Sequence, residues 1–149
     1  MTISVSAVLR SLAQHMHDIG VADYRPAPAY YPDDFTPELP AVALGDFPQT
    51  PIKSVAIIPY GRDPNIFTTA TTPLIRVTLA WRSDSEDPTA AMDMADAGFD
   101  KLHNETPGPW PGGVHPIWML RTITNKPDRD QNDRWIQADS YDIQLNPGE

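Results

Sequence analysis

The chain contains no cysteine, which excludes a disulfide framework, a zinc–thiolate site and a cysteine nucleophile. That absence fits assembly in a reducing cytoplasm. Basic residues are scarce: 11 Lys and Arg stand against 20 Asp and Glu, a net charge of −9. Duplex DNA binding depends on Lys and Arg neutralising phosphates, so this balance argues against a dedicated DNA binder. No segment approaches the ~20 apolar residues that a membrane span needs. Met1-Thr2-Ile3-Ser4 lacks the basic start and apolar run of a signal peptide, so the expectation is a soluble protein not exported by that route.

Catalytic signatures are also missing. No nucleophile elbow, P-loop, dinucleotide fingerprint or zinc-protease helix occurs. His15 and His17 sit two apart on one helix and point to different sides, so they do not chelate one ion together. His103 ends a helix and His115 lies in a strand, where packing or surface roles account for both. Acidic pairs such as Asp33-Asp34 fall in loops with no sign of a buried partner. Asp128, Asp130 and Asn132 alternate as calcium ligands do, with Asp139 at the twelfth position. However, Asp133 occupies the glycine position and the bidentate glutamate is absent, so a solvated loop explains them better. No cofactor or metal is expected, and no catalytic residue emerges.

What is present is one ordinary domain, residues 1–149, large enough to bury a core without staples. Proline is abundant at 17 residues, which predicts long connections between few regular elements. Residues 4–19 read as an amphipathic helix, with Val5, Val8, Leu9, Leu12, Met16 and Ile19 on one face. Arg10, Ser11, Gln14, His17 and Asp18 take the other side, and Gly20 suits a left-handed cap. A short strand is expected at 21–25, then an irregular Pro/Tyr-rich arm at 26–40 that lies down on some surface. Ala41–Leu44 and Lys53–Pro59 read as strands joined through the turn-rich segment 45–51, and 60–72 reads as a loop.

The clearest strand is 73–82, with Ile75, Val77, Leu79 and Trp81 on one side and Arg76, Thr78 and Arg82 on the other. Asp87-Pro88 predicts a capped helix start. That helix runs to about His103, burying Met92, Ala95, Phe99 and Leu102 and leaving Asp93, Asp96 and Asp100 wet. After a Pro/Gly loop centred on Trp110, strands 114–124 and 134–145 form a hairpin whose polar tip, 125–133, projects. Trp110, Trp118 and Trp135 lack the basic groove of a stacking site, so core or subunit-interface packing is the expectation.

The order of these elements carries a resemblance. Leu74-Ile75-Arg76-Val77-Thr78-Leu79-Ala80-Trp81-Arg82, followed by an acidic link and the Ala/Asp-rich helix Asp87 to His103, resembles the tail-terminator proteins of long-tailed phages, often labelled minor capsid proteins. Pro116-Ile117-Trp118-Met119, the tip Asp130 to Arg134 and the closing strand Trp135 to Leu145 are similar to that family as well. So are Ala43 to Pro48 with Val55 to Gly61, and the N-terminal helix. The Pro/Tyr-rich stretch 26–40 departs from the pattern.

The resemblance implies an α+β fold, a twisted, mostly antiparallel sheet with two helices packed on it. It implies a non-enzymatic structural protein of the virion, assembled in the host cytoplasm and placed at the head–tail junction. Six copies would form a ring that caps the tail tube, ends its polymerisation and docks head-completion proteins, while DNA passes through the lumen without specific binding. A head–tail stopper shares the same size and acidity, and a small ligand-binding or hydrolytic α+β domain is the alternative of another class. By residue type and position, Arg82, Asp128, Asp130, Asp133 and Arg134 are the expected subunit-interface residues, with the hairpin 114–145 as the assembly element.

Overall fold

The computed structural model describes residues 4–25, 38–48, 52–60, 74–104 and 107–146. Helix α1 (Val5–Asp18) begins at Ser4, whose hydroxyl accepts a hydrogen bond from the Ala7 amide at 3.4 Å. It ends where Gly20 takes φ +79°, the left-handed conformation expected of a glycine cap. Val8, Leu9, Leu12 and Met16 are buried as their spacing predicts, and Val5 and Ile19 pack at the margin. Ser11 departs from expectation. It is buried, because a short 3-10 turn (Pro111–Gly113) lies over α1 and the Ser11 hydroxyl donates to the Pro111 carbonyl. Trp110 beside that turn is buried and stacks on His15, with ring centroids 5.3 Å apart.

Among the described residues the strands are β1 (Ala41–Leu44), β2 (Ser54–Tyr60), β3 (Leu74–Arg82), β4 (His115–Thr124), β5 (Asp128–Arg129) and β6 (Trp135–Asn146). They form a single sheet in the order β1-β2-β3-β6-β4, with β5 continuing the β4 edge along β6. Every pairing is antiparallel except β1 with β2. The fold is therefore α+β with a mixed, mostly antiparallel open sheet, as expected. The connection from β1 to β2 is not a hairpin: it carries the chain back so that the two strands run in parallel. Residues 21–25 contribute one isolated bridge, Asp23 to Ala41, in place of a strand. Residues 26–37 of the arm expected at 26–40 lie outside the described residues, as do residues 61–72 of the loop expected at 60–72, whereas Tyr60 ends β2.

Helix α2 (Pro88–Leu102) starts as its sequence dictates, with Asp87 accepting from the Thr89 amide at 2.9 Å and proline in the first turn. Its buried stripe differs from the expected one. Ala91, Ala95, Gly98 and Leu102 face the sheet, while Met92 is 40% exposed and Phe99 is half-buried. The cause is Trp81, which fills the space beneath the helix. A Cβ at position 98 would lie 2.4 Å from Trp81 Cζ2, so the small residues turn inward and the bulky ones move to the flanks.

Both helices serve one core. Val55 and Ile57 of β2, the alternating Ile75, Val77, Leu79 and Trp81 of β3, Met119 of β4, and Tyr141, Ile143 and Leu145 of β6 pack with Leu12, Met16, Ala95 and Leu102. Strand residues of the other parity, including Ala56, Thr78, Arg82, Ile136 and Trp118, project from the opposite face of the sheet. No helix among the described residues covers that second face.

Candidate functional site

The tip between β4 and β6 is built around one carboxylate. Asp130 Oδ1 accepts from the amides of Asn132 at 2.8 Å and Arg134 at 2.9 Å, and the Asp130 amide donates to the Arg134 carbonyl at 2.9 Å. Asp133 takes φ +60° to close the turn, a conformation open to Asp with little strain. The tip does not project freely as the sequence suggested. Asp128 and Arg129 pair with Ile136 and Trp135, folding the tip back along the sheet edge. Arg129 lies 4.5 Å over the Trp135 ring and 3.8 Å from the exposed carboxylate of Asp133, a pair too solvated to contribute much.

Folded this way, the tip faces the segment after β1 across a cleft of about 780 Å³. Asp46, Phe47, Pro48 and Ile52 form one wall, and Arg129, Asp130, Gln131, Asn132 and Arg134 the other. Arg82, at the end of β3 and on the face opposite Trp81, is the floor. Its Nε donates to the Ile52 carbonyl at 2.7 Å, Nη2 donates to the Pro48 carbonyl, and the guanidinium sits 4.7 Å from the Phe47 ring centroid. Burial holds the Arg82 pKa below the usual arginine value; Asp130 and Asp46 raise it and the neighbouring Arg134 guanidinium lowers it further.

Of the residues singled out in the sequence, the structure brings Arg82, Asp130 and Arg134 together in this cleft. Asp128 and Asp133 lie on the exposed outside of the tip. The calcium-like series is dispersed: Asp130 is engaged by amides, and Asp139 is fully buried within the sheet. Three guanidiniums against two carboxylates give the cleft a local positive excess in a chain of net charge −9. Such a surface attracts carboxylates or phosphates. No serine, cysteine or histidine is among its described lining residues.

A second polar cluster, under α2, escaped the sequence reading. Arg121 Nη1 lies 3.2 Å from Asp139 Oδ2 and 3.3 Å from Asp96 Oδ1, while its guanidinium stacks 3.9 Å from the Phe99 ring centroid. Gln137 Nε2 donates to Asp139 Oδ1 and Thr124 Oγ1, each at 3.1 Å, and to the Asn125 carbonyl. The His103 Nδ1 accepts from the Arg121 amide at 3.0 Å. Burial, with the Asp139 charge nearby, drives the Tyr141 hydroxyl pKa well above its ordinary value. This cluster ties β4, β6 and α2 together. A signal for it existed: Gln137 and Asp139 share the strand parity of the inward Tyr141, Ile143 and Leu145.

A family model described as bacteriophage tail terminator protein matches residues 15–147. It spans both β-strand segments that form the cleft and the whole of α2. Among curated proteins none matches the chain.

Proposed function

The chain belongs to the bacteriophage tail terminator family, a structural component of the phage tail, and from that premise we propose that its copies close into a ring on the end of the tail tube. The ring stops tube polymerisation and presents the surface on which head-completion proteins dock, at the junction of head and tail. Six copies per ring is the number the family resemblance implies. The acidic excess of the chain, 20 acidic residues to 11 basic, keeps a central DNA path free of specific binding.

The observation that carries this reading is the open sheet. Its second face carries Ile58, Trp118, Leu120 and Ile136, all partly exposed, together with Ile123, which is 55% exposed. On the β4 side Trp118, Leu120 and Ile123 follow one another along one face of the strand, and exposed apolar surface of this kind favours association. The outer β4–β5 edge meets no further strand among the described residues, only the bridge from Asn104 to Met119 and the Arg121 amide bond to His103, and such edges are normally covered. Both features favour contacts between copies, and a head-to-tail contact that closes on itself makes a ring.

Mixing the purified protein with isolated tails and, separately, with DNA-filled heads tests the placement. A terminator binds tails first and makes them competent to join heads. Binding only to the portal end of heads would assign the protein to the stopper position.

A further inference from the structure

Helix α2 has two opposed faces. Ala91, Ala95, Gly98 and Leu102 point at the sheet, and Asp93, Asp96 and Asp100 recur at spacings of three and four on the side turned away from it. All three aspartates are exposed, and Met92 beside them is 40% exposed. The stripe from Asp93 to Asp100 is about 10 Å long at the helical rise of ~1.5 Å per residue. Asp96 also meets Arg121 of its own chain, which holds it in place while leaving its side chain 69% exposed.

On the opposite side of the sheet lies the cleft floored by Arg82, with Arg129 and Arg134 on its tip wall and the apolar Phe47, Pro48 and Ile52 on the other. The two surfaces match in kind: a row of carboxylates with one methionine, and arginines with an apolar wall. They also differ in position, facing opposite ways from the same sheet. A surface that complements itself across opposite sides of a protomer makes a heterologous contact, which builds a ring where its rotation closes, whereas a two-fold contact would build dimers. Arg134 and Arg82 repel each other within the cleft, and an incoming carboxylate relieves that repulsion.

We propose that the arginine-lined cleft of one copy receives the acidic outer face of α2 from the next copy, Asp93, Asp96 and Asp100 pairing with Arg129 and Arg134 and Met92 seating against Phe47. This rests on the ring reading and specifies its contact. Most of the specificity comes from charge, so assembly weakens as salt rises.

The absence of cysteine makes a direct test clean. The full chain carrying Met92→Cys and Phe47→Cys is oxidised under mild conditions, beside each single variant. A head-to-tail contact gives the double variant a ladder of covalent oligomers that ends at the ring size, and leaves each single variant monomeric on a denaturing gel. Separately, Arg129→Glu with Arg134→Glu weakens assembly at least roughly tenfold in light scattering, and adding Asp93→Arg and Asp100→Arg to the same chain restores it. Circular dichroism confirms that each variant is folded. Rings seen by electron microscopy without the ladder would overturn this contact and leave the ring reading standing. Linkage of position 47 to a tail-tube subunit in place of another copy would overturn it as well. No ring in solution or on isolated tails would overturn the ring reading and this contact together.

Discussion

Arg121 reaches from β4 to set its Nη1 3.2 Å from Oδ2 of Asp139, a carboxylate on β6 with no solvent exposure. The same nitrogen lies 3.3 Å from Asp96 on α2, so one guanidinium joins the edge strand, its neighbour and the helix. This matters for the proposed contact, because Asp96 belongs to the acidic stripe. The buried ion pair thus helps determine how the outer face of α2 is presented. A buried pair of this sort adds little stability over a hydrophobic replacement, but it makes its members interdependent.

Replacing Arg121 with Met is therefore expected to destabilise the fold by about 3–5 kcal/mol, because it leaves the Asp139 charge buried and uncompensated. Adding Asp139→Leu to Arg121→Met recovers most of that loss, since the second change removes the stranded charge. Urea denaturation of both variants checks this. Equal stability for the single and double variants would show that the pair is not coupled.

Gly98→Ala separates helix propensity from packing. Alanine is the better helix former by about 1 kcal/mol. Its methyl carbon would nevertheless fall 2.4 Å from the ring of the fully buried Trp81. Overpacking of this kind costs about 1–3 kcal/mol, so the net expectation is a loss of stability with a changed tryptophan environment. Thermal unfolding followed by tryptophan fluorescence reads both. A rise in Tm would mean that the helix shifts away from Trp81 at no cost.

How much of this was legible in the sequence depends on what each residue answers to. The β3 strand was plain because Ile75, Val77, Leu79 and Trp81 alternate strictly with Arg76 and Thr78, and alternation alone sets the parity. The caps at Asp87 and Gly20 were plain for the same local reason. The buried face of α2 was misjudged because apolar size suggested Met92 and Phe99, whereas the shape of Trp81, ten residues or more away in the chain, selected Ala91 and Gly98. The parallel β1–β2 pair was hidden, since turn-forming residues do not say which way the next strand runs. Arg82, Asp130 and Arg134 were chosen by residue type. Their meeting in a cleft required the tip to fold back onto β6, a long-range event that local pattern does not encode.

His15 should give the folded protein a pH dependence near neutrality. Its ring is stacked on Trp110, and burial lowers its pKa below the ordinary 6.5, with Asp18 opposing in part. The folded state thus binds the proton less readily than the unfolded state. Stability is full above about pH 6.5, where the histidine is neutral in both states, and declines as pH falls below it. Between pH 7.5 and 5.5, roughly the span in which carboxylates stay ionised, the wild type loses Tm while His15→Gln shows a flatter profile. Identical slopes for the two would assign the pH dependence to other groups.

Asp130 tests whether the tip is a built element or a solvated loop. Its Oδ1 holds the amides of Asn132 and Arg134, and those bonds set the wall of the cleft that carries Arg134. Asp130→Ala removes the acceptor, so the amides of 132 and 134 should exchange with solvent at least about tenfold faster, equivalent to ~1.4 kcal/mol of local stability. Asp130→Asn keeps an oxygen at the same place and should restore most of the protection, though as a neutral acceptor it holds the amides less strongly. Because the mild variant removes the charge but keeps the turn, the pair also divides electrostatics from shape in assembly. If the cleft works by its positive excess, Asp130→Asn assembles at least as well as the wild type, whereas Asp130→Ala assembles less well because Arg134 is no longer held in position. Equal exchange rates in the alanine variant and the wild type would mean that the carboxylate does not organise the tip.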